Sequence, residues 1–257
     1  MKLIFLFIFL LGISRSEEAH SNSRIIGGET AHISQYPFTA AITVQTNTGR
    51  YFCGGALYSQ EWIITAGQCV DGAILFTIQL GSTKLTEEDP NRLTVATSEY
   101  VLHPEYNPLT LENDIGLIKL RMPIEFTDYI RRLLPLALHE LPAKPDLRSI
   151  GWGQTSDSNS SLSEDLQVVR VASITNDECK IVYGNQITDK MVCVVGNYNE
   201  GACHGDVGSP LLDAYSRYTA IHVGIASFVS SNGCESTDPS GYTRIYGYVN
   251  WITEVTR

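Results

Sequence analysis

The sequence predicts an all-β domain, a barrel or a sandwich, with a helix at its C-terminal end. Short β-rich runs recur along the chain: FTAAITV, ILFTIQLG, LTVATSEYVL, DIGLIKL, LQVVRVASI and YTAIHVGIASFV. Turn-forming stretches such as NTG, DPN, PEYNP and SDSNSS separate them, which is typical of many short strands. The final YGYVNWITEV spaces Tyr248, Trp251, Ile252 and Val255 at helical intervals, so a closing helix is expected.

The composition is that of a globular protein. The 257 residues suffice for one large domain or two fused half-domains. Hydrophobic residues make up 43% and charged residues 18% of the chain, which excludes a disordered class. The formal net charge of −10 argues against nucleic acid and against anionic membrane surfaces as partners.

The N-terminal stretch MKLIFLFIFLLGIS places one Lys before an apolar run that is too short to span a bilayer. It predicts a signal peptide over residues 1–14, cleaved between 14 and 16, with an uncleaved anchor as the alternative. The protein is therefore expected to be secreted and extracellular, with no membrane partner. Residues 15–24 form a polar segment that ends at Arg24, and IIGG follows at once, so proteolytic processing after Arg24 is expected.

Secretion implies an oxidising compartment, in which all six cysteines can pair. The residues alone leave fifteen pairings open for Cys53, Cys69, Cys179, Cys193, Cys203 and Cys234. Neither CxxC nor His-rich spacing is present, so the sequence predicts no metal site and no cofactor. Asn159-Ser160-Ser161 is an N-glycosylation sequon in a Ser/Asp-rich loop, which predicts a glycan on Asn159.

Several motifs occur in a characteristic order: RIIGG, CGGALYSQEWIITAGQC, NDIGL, GWG, GACHGDVGSP, ASFVSSNGC and the closing helix. From Ile25 to the C-terminus, about nine tenths of the chain, the sequence resembles the chymotrypsin–trypsin family of secreted serine proteases. The uncharged pocket and the DPSGYTRI segment are most similar to arthropod chymotrypsin-like and collagenase-like members. The resemblance implies a trypsin-like domain over residues 25–257, built from two packed six-stranded antiparallel β-barrels. It also implies the disulfides Cys53–Cys69, Cys179–Cys193 and Cys203–Cys234.

The resemblance implies where a catalytic triad would lie. The family's carboxylate position in NDIGL is Asp114, its imidazole position is Gln68, and its nucleophile position in GDVGSP is Val207. An amide is not a base near neutral pH and valine carries no nucleophilic atom. The sequence therefore predicts that the chain is not an enzyme. Ser209 and His204 lie nearby, but a nucleophile two residues along a tight turn projects elsewhere.

Other family positions are also implied. Cleavage after Arg24 by a trypsin-like protease would free the Ile25 amine to pair with Asp206 and order the pocket loops. The backbone N–H groups of Gly205 and Val207 match the oxyanion hole, whose main-chain donors survive a change of side chain. Gly201 and Ser240 leave the pocket base uncharged, and Val229 narrows it, so a small or medium apolar side chain is expected. Ser227, Phe228 and Val229 match the edge that pairs with an extended peptide.

The sequence thus predicts a secreted, non-catalytic serine protease homologue. It would bind a peptide, a protease inhibitor, another protease or a different protein through the former active-site cleft or its loops. Two alternatives stay open: an active secreted endopeptidase with a non-standard nucleophile, and an inert structural paralogue.

Overall fold

The computed structural model describes residues 28–133, 136–141, 145–196, 200–216 and 219–257, without the side chains of residues 215, 216 and 219. The predicted signal peptide, the polar segment 15–24, Arg24 and Ile25 lie outside the described residues. Among the described residues, no helix is long and apolar enough to cross a membrane.

The first sheet contains seven strands in the order β6-β5-β2-β3-β4-β8-β7 and curls into a half-barrel. In β5 the apolar residues Phe76, Ile78 and Leu80 alternate with less buried ones, so one face of the strand enters the core. The edge strands β6 and β7 are separated only by Ser98, so one bent segment supplies both edges. The strands are β2 (Thr39–Gln45), β3 (Arg50–Leu57), β4 (Trp62–Thr65), β5 (Leu75–Leu80), β6 (Leu93–Thr97), β7 (Glu99–Leu102) and β8 (Gly116–Lys119).

The second sheet closes on itself as a six-stranded barrel, because β12 pairs with β9 as well as with β13. The order around the barrel is β12-β13-β16-β15-β14-β9, and β1 adds to the outside of β12. The predicted fold class, two antiparallel β-barrels with a C-terminal helix, is confirmed, although the first barrel is only half closed. The strands are β1 (Glu29–Thr30), β9 (Leu147–Gly151), β12 (Gln167–Ile174), β13 (Met191–Val195), β14 (Pro210–Ser216), β15 (Thr219–Phe228) and β16 (Ser240–Arg244).

The remaining elements are short. The helices are α1 (Gly67–Val70), α2 (Asn176–Tyr183) and α3 (Val249–Val255), with 3-10 turns at Gly184–Gln186 and Ile245–Tyr248. The predicted closing helix corresponds to α3, whose Ile252 is buried against the core of the first sheet. A separate hairpin joins β10 (Gln154–Ser156) to β11 (Asn159–Leu162). The sequon residue Asn159 therefore starts an exposed strand rather than lying in a loop, and its Oδ1 accepts from the Ser161 N–H.

The three disulfides have the pairing that the resemblance implies: Cys53–Cys69, Cys179–Cys193 and Cys203–Cys234. The first bridge joins β3 to α1, and the third joins two loops at the closed barrel's end. A cross-link of this kind restricts the unfolded chain and typically contributes about 2–4 kcal/mol to stability. The first and third bridges thus fix α1 on the first sheet and two neighbouring loops of the closed barrel.

Candidate active-site cleft

Asp114 lies at the end of the loop that joins β7 to β8, and it is fully buried. The preceding Asn113 has a φ of 55°, a left-handed conformation that Asn tolerates better than most residues. The carboxylate Oδ1 accepts from the Gln68 backbone N–H at 2.8 Å, and Oδ2 accepts from the Ser227 hydroxyl at 2.6 Å. Burial raises the pKa of Asp114, and these donors counteract the rise.

Gln68 lies on α1 and uses both amide hydrogens. Its Nε2 donates to Asp114 Oδ2 at 2.7 Å and to the Ser227 carbonyl at 2.8 Å. Asp114 and Gln68 belong to the first sheet's side of the cleft, whereas Ser227 belongs to β15 of the closed barrel. The Gln68 amide therefore connects the two halves of the molecule across the cleft.

We expect Gln68→Leu to lower the free energy of unfolding by about 2–4 kcal/mol, because a buried carboxylate and a carbonyl each lose a donor. Urea denaturation of the purified protein measures this change. Gln68→His is the control, since an imidazole N–H can still donate to Asp114, and its loss should stay below about 1 kcal/mol. Equal stability of the Leu variant and wild type would contradict the bracing role of Gln68.

Val207 is partly buried against the core of the first sheet. Its carbonyl accepts from the Gly54 N–H at 2.8 Å, which ties the GDVGSP loop to β3. Ser209 is 2% exposed and its hydroxyl lies beside Gly54 and Gly151, so it does not face the cleft. His204 is exposed, and the structure does not bring it together with Ser209 into a pair.

The predicted oxyanion donors are the N–H groups of Gly205 and Val207. Among the described residues neither group donates to a protein acceptor, so both can serve a ligand. Gly205 has a φ of 97°, and an added Cβ would meet the Leu162 side chain, so glycine is required there. Ser209 stands where the family has glycine, but its φ is not positive, so the backbone there is not strained by a serine side chain.

Asp206 is 1% exposed and accepts from the Gly153 N–H at 2.7 Å and the Cys203 N–H at 2.9 Å. Burial raises its pKa to about 6. A Cβ on Gly151 or Gly153 would collide with this carboxylate, which explains both glycines of the GWG motif. Its predicted partner, the Ile25 amine, lies outside the described residues.

Gly201 and Ser240 line a cavity of about 120 Å³ at the end of the closed barrel. Ser227, Phe228 and Val229 lie at the end of β15, where Phe228 covers Gly241 and contacts Tyr183 edge to face, with ring centroids 5.1 Å apart. Val229 packs against the core of the closed barrel. The other residues that line the cavity are Val194, Val195, Gly196, Glu200, Cys234, Ser236, Thr237 and Asp238.

One group of potential metal ligands lies among the described residues, namely Asp157, Cys203 and Cys234. Cys203 and Cys234 form a disulfide, so they offer no thiolate to a cation. This group therefore does not fit a metal ion.

A family model described as "Trypsin" matches residues 25–252. The chain belongs to the trypsin family. It is 34% identical to brachyurin of Leptuca pugilator over 90% of this chain and 98% of the relative. It is 30% identical to chymotrypsin-like elastase family member 1 of Bos taurus over 97% of this chain and 96% of the relative. A solved structure of HL collagenase matches it with a TM-score of 0.80 and 31% identity, over 89% of this chain and 97% of that one.

These comparisons correct one prediction about this trypsin-family protein. The expectation that the chain is not an enzyme is wrong as stated, because relatives that cover nearly the whole chain are named brachyurin, elastase and collagenase. Those names denote proteases and point to an enzyme. The expectation rested only on the residue types at Gln68 and Val207, and two side chains do not establish the absence of an activity.

Proposed function

We propose that this trypsin-family protein is secreted and binds an extended segment of a protein partner in the cleft between its two sheets. The observation that carries the proposal is the Gln68 amide, which bonds to Asp114 and to the Ser227 carbonyl and so holds both cleft walls. A groove whose walls are fixed before binding loses less conformational entropy when a ligand enters. The proposal concerns binding and applies whether or not the bound segment is cut.

The backbone groups around the cleft suit an extended chain. The N–H groups of Gly205 and Val207 can donate to one carbonyl of the segment. The end of β15 at Ser227–Val229 would supply the pairing edge, with the Ser227 carbonyl shared between the segment and the Gln68 amide. The Val207 side chain, which is only partly buried, would add an apolar contact to the segment. A cavity of about 120 Å³ next to Gly201 favours a small side chain at the neighbouring position.

Peptide binding tests the proposal. Fluorescent peptides that differ only at one position (Ala, Val, Ser, Phe or Lys) are titrated against protein cleaved after Arg24. We expect saturable binding, tightest for a small residue, and at least about ten-fold weaker binding by Ser240→Arg, which fills the cavity. Thr253→Arg adds the same charge on the exposed side of α3 and should bind like wild type. If wild type saturates with none of the peptides, the inert alternative replaces the proposal.

The names of the relatives favour a second candidate, a secreted endopeptidase. Turnover of a protein substrate by the cleaved chain would support it, and a covalent serine-hydrolase probe followed by mass spectrometry would identify the nucleophile. Ser209 is enclosed between Gly54 and Gly151, so labelling of that residue would require the GDVGSP loop to move. Absence of both turnover and labelling would exclude this candidate.

Secretion, like processing, is part of the proposal. The three disulfides are typical of an oxidising compartment, and the sequon residue Asn159 is exposed on β11 and accessible to a glycan. A mass shift on treatment of secreted protein with a glycosidase, absent in Asn159→Gln, tests the glycan.

We expect a trypsin-like protease to cut between Arg24 and Ile25, because a polar segment that ends in a basic residue is accessible to proteases. N-terminal sequencing of secreted material should then begin at Ile25, and Arg24→Gln should abolish this species. A mature protein that begins near Ser16 and resists trypsin at Arg24 would show that the processing site is wrong.

A further inference from the structure

Asp157 lies at the turn of the β10–β11 hairpin and is exposed, yet it is bonded on both sides to a distant loop. Its Oδ1 accepts from the Cys234 N–H at 2.8 Å, and its Oδ2 accepts from the Glu235 N–H at 3.0 Å. The Asp157 N–H donates in return to the Glu235 side chain at 3.1 Å. Three hydrogen bonds thus clamp residues that are almost 80 positions apart in the chain.

The clamped loop supplies one wall of the cavity beside Gly201. Cys234 and Ser236 both line that cavity, and Glu235 lies between them. The loop is closed further along by Asp238, whose Oδ2 accepts from the Ser230 hydroxyl at 2.6 Å and from the Asn232 amide at 2.9 Å. The position of the wall therefore depends on these two carboxylates and on the Cys203–Cys234 disulfide, and Asp157 is the carboxylate that comes from outside the loop.

The backbone of the loop is shaped to receive Asp157. Gly233 has a φ of 102°, and an added Cβ there would collide with Asp157 Oδ2. Only a residue without a side chain lets the carboxylate approach the two N–H groups from this direction.

The same hairpin contacts the loop that carries the oxyanion donors. Gln154 N–H donates to the His204 carbonyl at 2.9 Å, and Leu162 covers Gly205. The disulfide Cys203–Cys234 joins the two loops that the hairpin touches. Hairpin, disulfide and loops form one closed unit around the cavity.

From this arrangement we infer that Asp157 is a positioning residue, which sets the side-chain selectivity of the cleft by fixing the Cys234–Asp238 wall. It acts through the wall and does not touch the bound segment. The inference rests on the proposed peptide binding, since selectivity is defined only for a protein that binds.

The test compares Asp157→Ala with Glu164→Ala. Glu164 is the control because its carboxylate also joins two distant chain segments by hydrogen bonds. It accepts from the Thr86 N–H, the Thr86 hydroxyl and the Glu87 N–H, and it does not line the cavity. The preference is the ratio of the dissociation constants of the weakest-binding and tightest-binding peptides of the series. We expect Asp157→Ala to reduce this ratio about ten-fold, because the Cys234–Asp238 wall loses two charge-assisted hydrogen bonds. Glu164→Ala should keep the preference, and Asp157→Asn, which retains one acceptor, should restore part of it.

A purely structural role would instead weaken the binding of all peptides equally in both Ala variants, and that result would overturn the inference. If wild type binds no peptide, the proposed function fails, and hydrogen exchange tests the positioning on its own. Asp157→Ala should then speed exchange of the Ser236–Asp238 amides, which Asp157 does not contact, whereas Glu164→Ala should not. Unchanged exchange in Asp157→Ala would overturn the inference independently of binding.

Discussion

The double variant Gln68→His/Val207→Ser is expected to hydrolyse a peptide ester at least about a hundred-fold faster than wild type or either single variant. Asp114 is already buried beside residue 68 and would accept from an imidazole N–H, which orients the ring. The N–H groups of Gly205 and Val207 remain available for the developing oxyanion. Members of a triad act as a unit, so neither change alone should match the pair.

The assay follows the ester with a small apolar residue before the scissile bond, using protein cleaved after Arg24. Asp114→Asn in the double-variant background is the control for the mechanism and should remove most of the gain. If a folded, correctly cleaved double variant is no faster than wild type, the frame around the triad positions is not catalytically competent.

The second large effect concerns the dependence of stability on pH. The folded, uncleaved chain raises the pKa of Asp206 from 3.8 to about 6, so it binds a proton more tightly than the unfolded chain does. Stability from this group is therefore present below about pH 4 and lost as the pH rises through about 6. This shift in pKa corresponds to a decrease of about 3 kcal/mol in the free energy of unfolding. Cleavage should abolish this loss, because the Ile25 ammonium would favour the ionised carboxylate.

Urea denaturation at several pH values between 4 and 7 measures the effect, and Asp206→Asn supplies the reference. Subtracting the variant's pH profile from that of wild type removes the contribution of other carboxyls. In the uncleaved protein, the free energy of unfolding of wild type minus that of Asp206→Asn should decrease as the pH rises. After cleavage this difference should no longer decrease with pH. Parallel profiles of wild type and variant before cleavage would refute the burial argument for Asp206.

The strand content, the closing helix and the family could be predicted from local sequence, because alternation, turn residues and ordered motifs are short-range signals. The β10–β11 hairpin was missed since its polar strands carry no alternation. Helix α2 was missed although its capping box, Thr175 with Glu178, is a recognisable N-terminal signal.

The site was harder to predict than the fold. Motifs could place Gln68, Asp114 and Val207 at family positions, but the contacts that decide their roles join residues distant in the chain. Gln68 is 46 positions from Asp114 and 159 positions from Ser227, and no local pattern reports such pairs. The prediction that the chain is not an enzyme is wrong because it was drawn only from the residue types at positions 68 and 207.

The three-way contact of Gln68, Asp114 and Ser227 also limits how this cleft can change by mutation. Asp114 Oδ1 accepts from the Gln68 backbone N–H, which any side chain at position 68 retains, whereas Oδ2 accepts from both the Gln68 amide and the Ser227 hydroxyl. Loss of one side-chain donor leaves Oδ2 with the other, and loss of both leaves a buried oxygen unmatched. Because two side-chain donors share one acceptor, we expect the effects of substitutions at these positions to be non-additive, except where the new side chain keeps an N–H donor, as in Gln68→His. Variants of this cleft are therefore expected to differ in stability according to how many donors to Asp114 they keep, rather than by the sum of their single substitutions.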